Sequence, residues 1–228
     1  MITEQGNTVK TTKKLGYCGY GTGHFKPFDK VFDEGVHLRG NIKEAVEGVD
    51  ALVIWGGEDI STGLYGEDGG VWTGADRRMS ARDQVETALC HEAIKQGKPI
   101  IGVCRGAQLL CALAGGKLIQ DVNHHAGGDH EMETVDGRTI IVNSYHHQMM
   151  WPYNGPEHKL IAWSKQPLSR GHYAFSAENV KQEISKPEPE VVWFPKIKGL
   201  AMQYHPEFAG ANEEFVQYSL DLARQYIL

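Results

Sequence analysis

Gly102-Val103-Cys104-Arg105-Gly106 leaves this chain little choice of architecture. It follows the apolar run Pro99-Ile100-Ile101, and the segment after it, Ala107–Ala114, reads as a helix closed by Gly115-Gly116. A G-x-C-x-G sequence between a strand and a helix is the pattern of a nucleophile elbow. The turn is so tight that its flanks must lack bulk, and the central side chain stands clear above the sheet. The dipole of the following helix favours negative charge at that side chain. The Arg105 N–H lies where a developing oxyanion needs a donor. Strand, sharp turn and helix also make up the βα unit of a doubly wound sheet.

The rest of the chain extends that unit. Ala51–Trp55 is a continuous apolar run, the mark of a buried parallel strand, and it stops at Gly56-Gly57. Ser80 caps a helix with Asp83 at its third position; Val85, Ala88, Leu89 and Ala93 form its apolar stripe, and Gly97 ends it. Asn41 with Glu44 predicts a short helix over 42–48. Leu15–Gly19, Thr139–Asn143, Leu160–Trp163, Val191–Phe194 and Leu200–Tyr204 read as strands. A last helix over 213–227 aligns Val216, Leu220, Ala223 and Ile227. The expected fold is a single α/β domain over 14–228, a flavodoxin-like, doubly wound, mostly parallel sheet with helices on both faces. Residues 1–13 read as a flexible arm and 165–189 as an insertion.

Composition narrows the function. The 228 residues carry 23 Lys plus Arg against 29 Asp plus Glu, a net charge of −6. That balance argues against a nucleic-acid partner, which usually selects a basic surplus. No run approaches the ~18 apolar residues of a membrane span. The polar N-terminus has no secretory h-region. Cys18, Cys90, Cys104 and Cys111 match no disulfide or zinc framework, so a reducing, cytoplasmic setting is expected. Only Cys104 has the setting of a nucleophile; the other three read as bystanders.

A nucleophilic Cys needs a His to carry its proton and a third group to orient that His. Gln203-Tyr204-His205-Pro206-Glu207 closes an apolar strand. Pro206 biases His205 to extended backbone, where residues i and i+2 project to one side. Glu207 can therefore lie beside the His205 imidazole.

Together these residues resemble the class I glutamine amidotransferase superfamily. Trp55-Gly56-Gly57-Glu58-Asp59 and Leu64-Tyr65-Gly66 resemble its loop after the third strand. Arg82-Asp83 with Glu86, Gly115-Gly116-Lys117-Leu118 with Gln120-Asp121, and Asn143-Ser144-Tyr145-His146-His147-Gln148 are similar to its γ-glutamyl-γ-aminobutyrate hydrolase branch. The resemblance runs from about residue 50 to 209. It implies a Cys104-His205-Glu207 triad and an oxyanion hole from the Gly57 and Arg105 N–H groups. It implies that Gln108 lies near the bound glutamyl group, and that Tyr145, His146 and His147 hold the α-amino and α-carboxylate end. A glycine at 57 has its own physical reason, because a backbone that approaches a substrate oxygen closely has no room for a Cβ. The sequence departs from the family at Gly16–His24, at Trp55, where proline is common, and at Lys165–Pro189.

Other constellations carry less. His124, His125 and His130 share a segment with Asp and Gly, but H-H-x₄-H is no standard zinc spacing; the segment reads as a loop rimming the cleft, with no metal. Gly19–Gly23 lacks the lysine of a phosphate loop. Glu183–Glu190, with its prolines, reads as a solvated linker. The function expected is a stand-alone cysteine hydrolase that cleaves a γ-glutamyl amide, glutamine or a γ-glutamyl-amine, through a thioester, with no cofactor. The alternatives are a glutaminase that passes ammonia to a separate synthetase chain, and a catalytically idle binding module. At this length no fused synthetase is expected.

Overall fold

The computed structural model describes residues 12–18, 25–169, 173–174, 176 and 186–228. The elements in chain order are β1 (Lys14–Tyr17), β2 (Glu34–His37), α1 (Ile42–Glu47), β3 (Ala51–Ile54), α2 (Ala81–Lys95), β4 (Ile100–Val103) and α3 (Arg105–Leu113). Then come β5 (Lys117–Ile119), β6 (Asp121–Val122), β7 (Ala126–Thr134), β8 (Thr139–Tyr145), β9 (Met149–Trp151) and β10 (Lys159–Ser164). β11 (Tyr173–Ala174), β12 (Pro189–Phe194), β13 (Gly199–Met202) and α4 (Glu213–Tyr226) complete the chain.

Nine strands form one sheet in the order β2-β1-β3-β4-β13-β12-β10-β7-β8. The first five run parallel, and the remaining four extend the sheet antiparallel. Side chains of the parallel strands alternate between two cores. Leu52, Ile54, Ile100 and Ala201 face α1, α2 and α3 through Val46, Leu89, Ala93, Leu109 and Leu110. Val53, Ile101, Val103, Leu200 and Met202 face α4 through Phe215, Leu220, Leu222 and Ala223. Helices thus cover both faces of the sheet, as the sequence predicts. Each such aliphatic side chain, fully buried, stabilises the fold by roughly 1.5–3 kcal/mol. β4 and β13 pair in register Gly102↔Ala201 and Met202↔Val103, so the segments after them leave the same sheet edge side by side.

Local signals behave as expected at the helix starts. Ser80 and Asp83 form a reciprocal capping box, and Asn41 accepts from the Glu44 N–H at 3.3 Å. Three expectations need correction. The buried face of α2 is Arg82, Asp83, Glu86, Thr87, Leu89, Cys90 and Ala93, while Val85 is 51% exposed. Its first two turns are buried through ion pairs, which hydrophobic periodicity does not register. The segment read as a loop around His130 is the nine-residue strand β7, paired with both β8 and β10. Glu188 and Glu190 are buried, in no solvated linker. The Glu188 carboxylate accepts from the Leu168 and Ser169 N–H groups at 2.9 and 3.0 Å. The arm up to residue 11, the Gly-rich 19–23 stretch and most of 170–185 lie outside the described residues.

Candidate active site

The elbow forms where β4 meets α3. Cys104 has φ 50° and ψ −107°, a conformation that costs a non-glycine residue roughly 1–3 kcal/mol and persists only when the surroundings fix it. Its N–H donates to the Met202 carbonyl at 2.7 Å, and its carbonyl accepts from the Gln108 N–H at 3.1 Å. Both flanking glycines are required by space. A Cβ on Gly102 would lie 2.5 Å from the Gly106 oxygen, and one on Gly106 would lie 2.0 Å from the Ile54 oxygen. The Arg105 N–H, at the first turn of α3, is one of the donors a helix start leaves without an intrahelical acceptor. The other thiols are placed differently. Burial pushes Cys18 and Cys111 up to about 12, and Cys90 well above its ordinary value.

His205 follows β13 on the neighbouring strand, and its imidazole and Cys104 Cβ both lie against Gly56. Its Nδ1 lies 2.7 Å from Glu207 Oε1, the i, i+2 contact expected of an extended His-Pro-Glu. Burial alone would lower the imidazole. The hydrogen bonds and charges of Cys104 and Glu207 outweigh it and raise His205 to about 10. Asn143 on β8 clamps the His205 backbone at both ends, donating to its carbonyl at 2.9 Å and accepting from its N–H at 2.8 Å. Phe208 stacks on the imidazole at 4.2 Å between ring centroids, and Tyr145 meets it edge-on at 6.3 Å.

The β3 loop closes the third side. A Cβ on Gly56 would meet His205 Cε1 at 2.6 Å and Cys104 Cβ at 3.4 Å, so Gly56 is packed directly on the Cys–His pair. Gly57 has φ 148°, and a Cβ there would lie 2.1 Å from Arg82 Nη1. Behind this loop and the elbow runs a buried ion-pair network. The Arg105 guanidinium pairs with Asp83 and Glu86 of α2, and Glu86 also accepts from Arg82 Nε at 2.8 Å. Asp83 accepts from the Ser61 N–H at 3.2 Å and the Ser80 hydroxyl at 2.8 Å. Burial opposes its ionisation, but the serines and Arg105 hold it below the usual carboxylate range.

The remaining expected residues are gathered in part. Gln108 is buried on α3, and its Nε2 donates to the Gln148 carbonyl at 2.9 Å. Tyr145 is half exposed beside His205. His147 turns to the β3 loop, with Nε2 2.9 Å from Asp59 Oδ1; the Asp59 hydrogen bond raises its imidazole. His146 points inward. Its Nδ1 meets the Gln148 carbonyl at 2.9 Å, its Nε2 has no partner among the described residues, and burial keeps it well below its ordinary value. It lies against His125, at 4.7 Å between ring centroids.

Among the described residues, His125, His130 and Glu190 form a group whose ligand atoms lie within 4.8 Å of one another, close enough to hold a metal ion. Both imidazoles already have carboxylate partners, Glu188 for His125 at 3.2 Å and Glu190 for His130 at 3.0 Å. Sequence reasoning missed the roles of Asn143, Gly56, Arg82 and Phe208 in this arrangement. Arg82 and Asn143 stood in motifs of the family resemblance without a role, and the adjacent Gly56-Gly57 pair was a readable signal, since two glycines at a strand end mark a close approach of backbones.

The Peptidase C26 family model matches residues 37–139. The chain is 31% identical over 197 residues to the glutamine amidotransferase-like protein YvdE of Lactococcus lactis, covering 77% of this chain and 73% of that protein. It is 27% identical over 135 residues to the carbamoyl phosphate synthase small chain of Xanthomonas axonopodis, covering 59% and 34%. The structure of a glutamine amidotransferase from Thermotoga maritima superposes with a TM-score of 0.55 at 13% identity, covering 94% and 84%. Among the described residues no helix is long and apolar enough to cross a membrane.

Proposed function

This chain belongs to the class I glutamine amidotransferase superfamily, and we propose that it is a cysteine hydrolase that cleaves a γ-glutamyl amide through a thioester at Cys104. The observation that carries this reading is the gathering of Cys104 and His205 against Gly56, with Glu207 2.7 Å from the His205 imidazole and Cys104 held at a strained turn on a helix N-terminus. Cys104 Sγ attacks the γ-carbonyl carbon. The Gly57 and Arg105 N–H groups stabilise the oxyanion. The His205 imidazolium, oriented by Glu207, gives its proton to the departing nitrogen as the C–N bond breaks. Water then attacks the thioester while His205 accepts its proton. The C–S bond breaks, glutamate leaves, and the Cys104 thiolate beside the His205 imidazolium is restored. Gln108 and the Tyr145-His146-His147 backbone hold the amino-acid end of the substrate in this reading.

The Cys104-Arg105-Gly106 and His146-His147-Gln148 motifs and the Peptidase C26 match support a stand-alone γ-glutamyl-amine hydrolase. The similarity to a carbamoyl phosphate synthase small chain favours the second reading, a glutaminase delivering ammonia to a separate synthetase. Four cysteines without a disulfide fit a reducing, cytoplasmic setting for either. The test is glutamate release by the purified chain from glutamine and from a panel of γ-glutamyl-amines. Turnover of the larger amides by the chain alone supports the hydrolase. Slow glutaminase that rises on adding a synthetase supports the subunit. Undiminished turnover by Cys104→Ala would sink both.

A further inference from the structure

Resting on the oxyanion role just proposed for Gly57, we propose that Arg82 is a positioning residue whose guanidinium sets the Gly56–Gly57 peptide so that the Gly57 N–H faces Cys104. Arg82 Nη2 donates to two successive carbonyls, Trp55 at 3.1 Å and Gly56 at 2.9 Å. The Gly56–Gly57 bond is trans. In a trans peptide the C=O of one residue and the N–H of the next point in opposite directions within one plane. Fixing the Gly56 oxygen on Arg82 therefore turns the Gly57 N–H away from Arg82. Cys104 and His205 pack on the Gly56 flank of this segment, where a Cβ would strike His205 Cε1 at 2.6 Å and touch Cys104 Cβ at 3.4 Å.

The guanidinium is itself fixed. Nε donates to Glu86 at 2.8 Å and Nη1 to Glu58 at 3.0 Å, with the Arg82 side chain 6% exposed. Glu86 pairs as well with Arg105, whose own N–H is the second proposed oxyanion donor. One carboxylate thus ties together the two halves of the hole. A planar fork can hold two carboxylates and two carbonyls at once, whereas an ammonium on a flexible stem supplies only three donors from one point. Two glycines give this segment wide backbone freedom, so an external clamp is what selects one peptide orientation.

The test uses Arg82→Lys and Arg82→Gln in the full chain. Removing an oxyanion donor costs about 10²–10³ in kcat, so displacing one by loss of its clamp is expected to lower kcat about 10- to 100-fold, with KM within about threefold. Arg82→Lys keeps the charge beside Glu86 and Glu58, so it serves if Arg82→Gln does not fold. A role in charge balance alone predicts wild-type kcat for the lysine variant, and that result overturns the proposal. Crystal structures of the wild-type and lysine chains supply a readout independent of turnover. A turned or mobile Gly56–Gly57 peptide in the variant supports the clamp, and an unmoved one contradicts it. Failure of the wild-type chain to release glutamate from any γ-glutamyl amide would instead count against the hydrolase reading, leaving the peptide measurement to decide the clamp.

Discussion

Glu207→Gln isolates what the third group of the site contributes. The carboxylate lies 2.7 Å from His205 Nδ1 with its side chain 15% exposed, so little solvent screens the pair. A hydrogen bond to a charged partner contributes about 1.5–3 kcal/mol. At about 1.4 kcal/mol per tenfold, losing the charge should lower the His205 titration by about one to two pH units. In the wild-type protein Cys104 and Glu207 push His205 up to about 10. The variant should therefore show an alkaline limb near pH 8–9, on the basis of that difference. The assay is the pH dependence of kcat/KM, alongside that of Cys104 alkylation by iodoacetamide. Stability should follow the same titration. A histidine raised in the folded state adds stability that is complete below its unfolded value of about 6.5 and is lost as pH rises toward its folded one. The wild-type melting temperature should thus decline between about pH 6.5 and 10, and the Glu207→Gln decline should be smaller and finish earlier. An alkaline limb that does not move on this substitution would refute the reasoning.

Other perturbations follow from the same packing. Gly106→Ala places a methyl 2.0 Å from the Ile54 oxygen, so β3 or α3 must shift; chemical denaturation should show a loss of about 3 kcal/mol or more, at the upper end of overpacking effects. Asn143→Leu removes both partners of the His205 backbone, and two buried groups left unpaired should lower stability by about 2–4 kcal/mol. Because Asp83 is held below its ordinary value, the stability it contributes is present above the unfolded carboxylate value and is lost as pH falls through the lower folded one. An Asp83→Asn chain should be less stable at neutral pH and show a shallower acid-unfolding slope, measured by circular dichroism.

The parts of the fold that were legible in the sequence are those stabilised by apolar contact. β3 and β4 are continuous apolar runs because both faces of the parallel sheet are covered, and the glycines after them mark the turns of the site. His205 and Glu207 were readable because a proline between them fixes extended backbone. What escaped was stabilised by charge paired across distant elements. The first turns of α2 bury Arg82, Asp83 and Glu86, whose partners lie in the β3 loop, near Ser61 and in α3. β7 carries Gly127, Gly128, Asp129 and His130, which read as a loop until Glu190 and two strand partners compensate them. Asn143 looks like one polar residue in an apolar strand, and its partner is a backbone sixty-two residues away.

The central claim is that Cys104 carries the glutamyl group. Acid-quenched mixtures of the chain with a γ-glutamyl-amine, digested and read by mass spectrometry, test it directly. The account predicts a glutamyl adduct on the Cys104 peptide that appears with amine release, decays to glutamate and is missing in Cys104→Ala. An adduct on another residue, or amine release from Cys104→Ala at the wild-type rate, would contradict it.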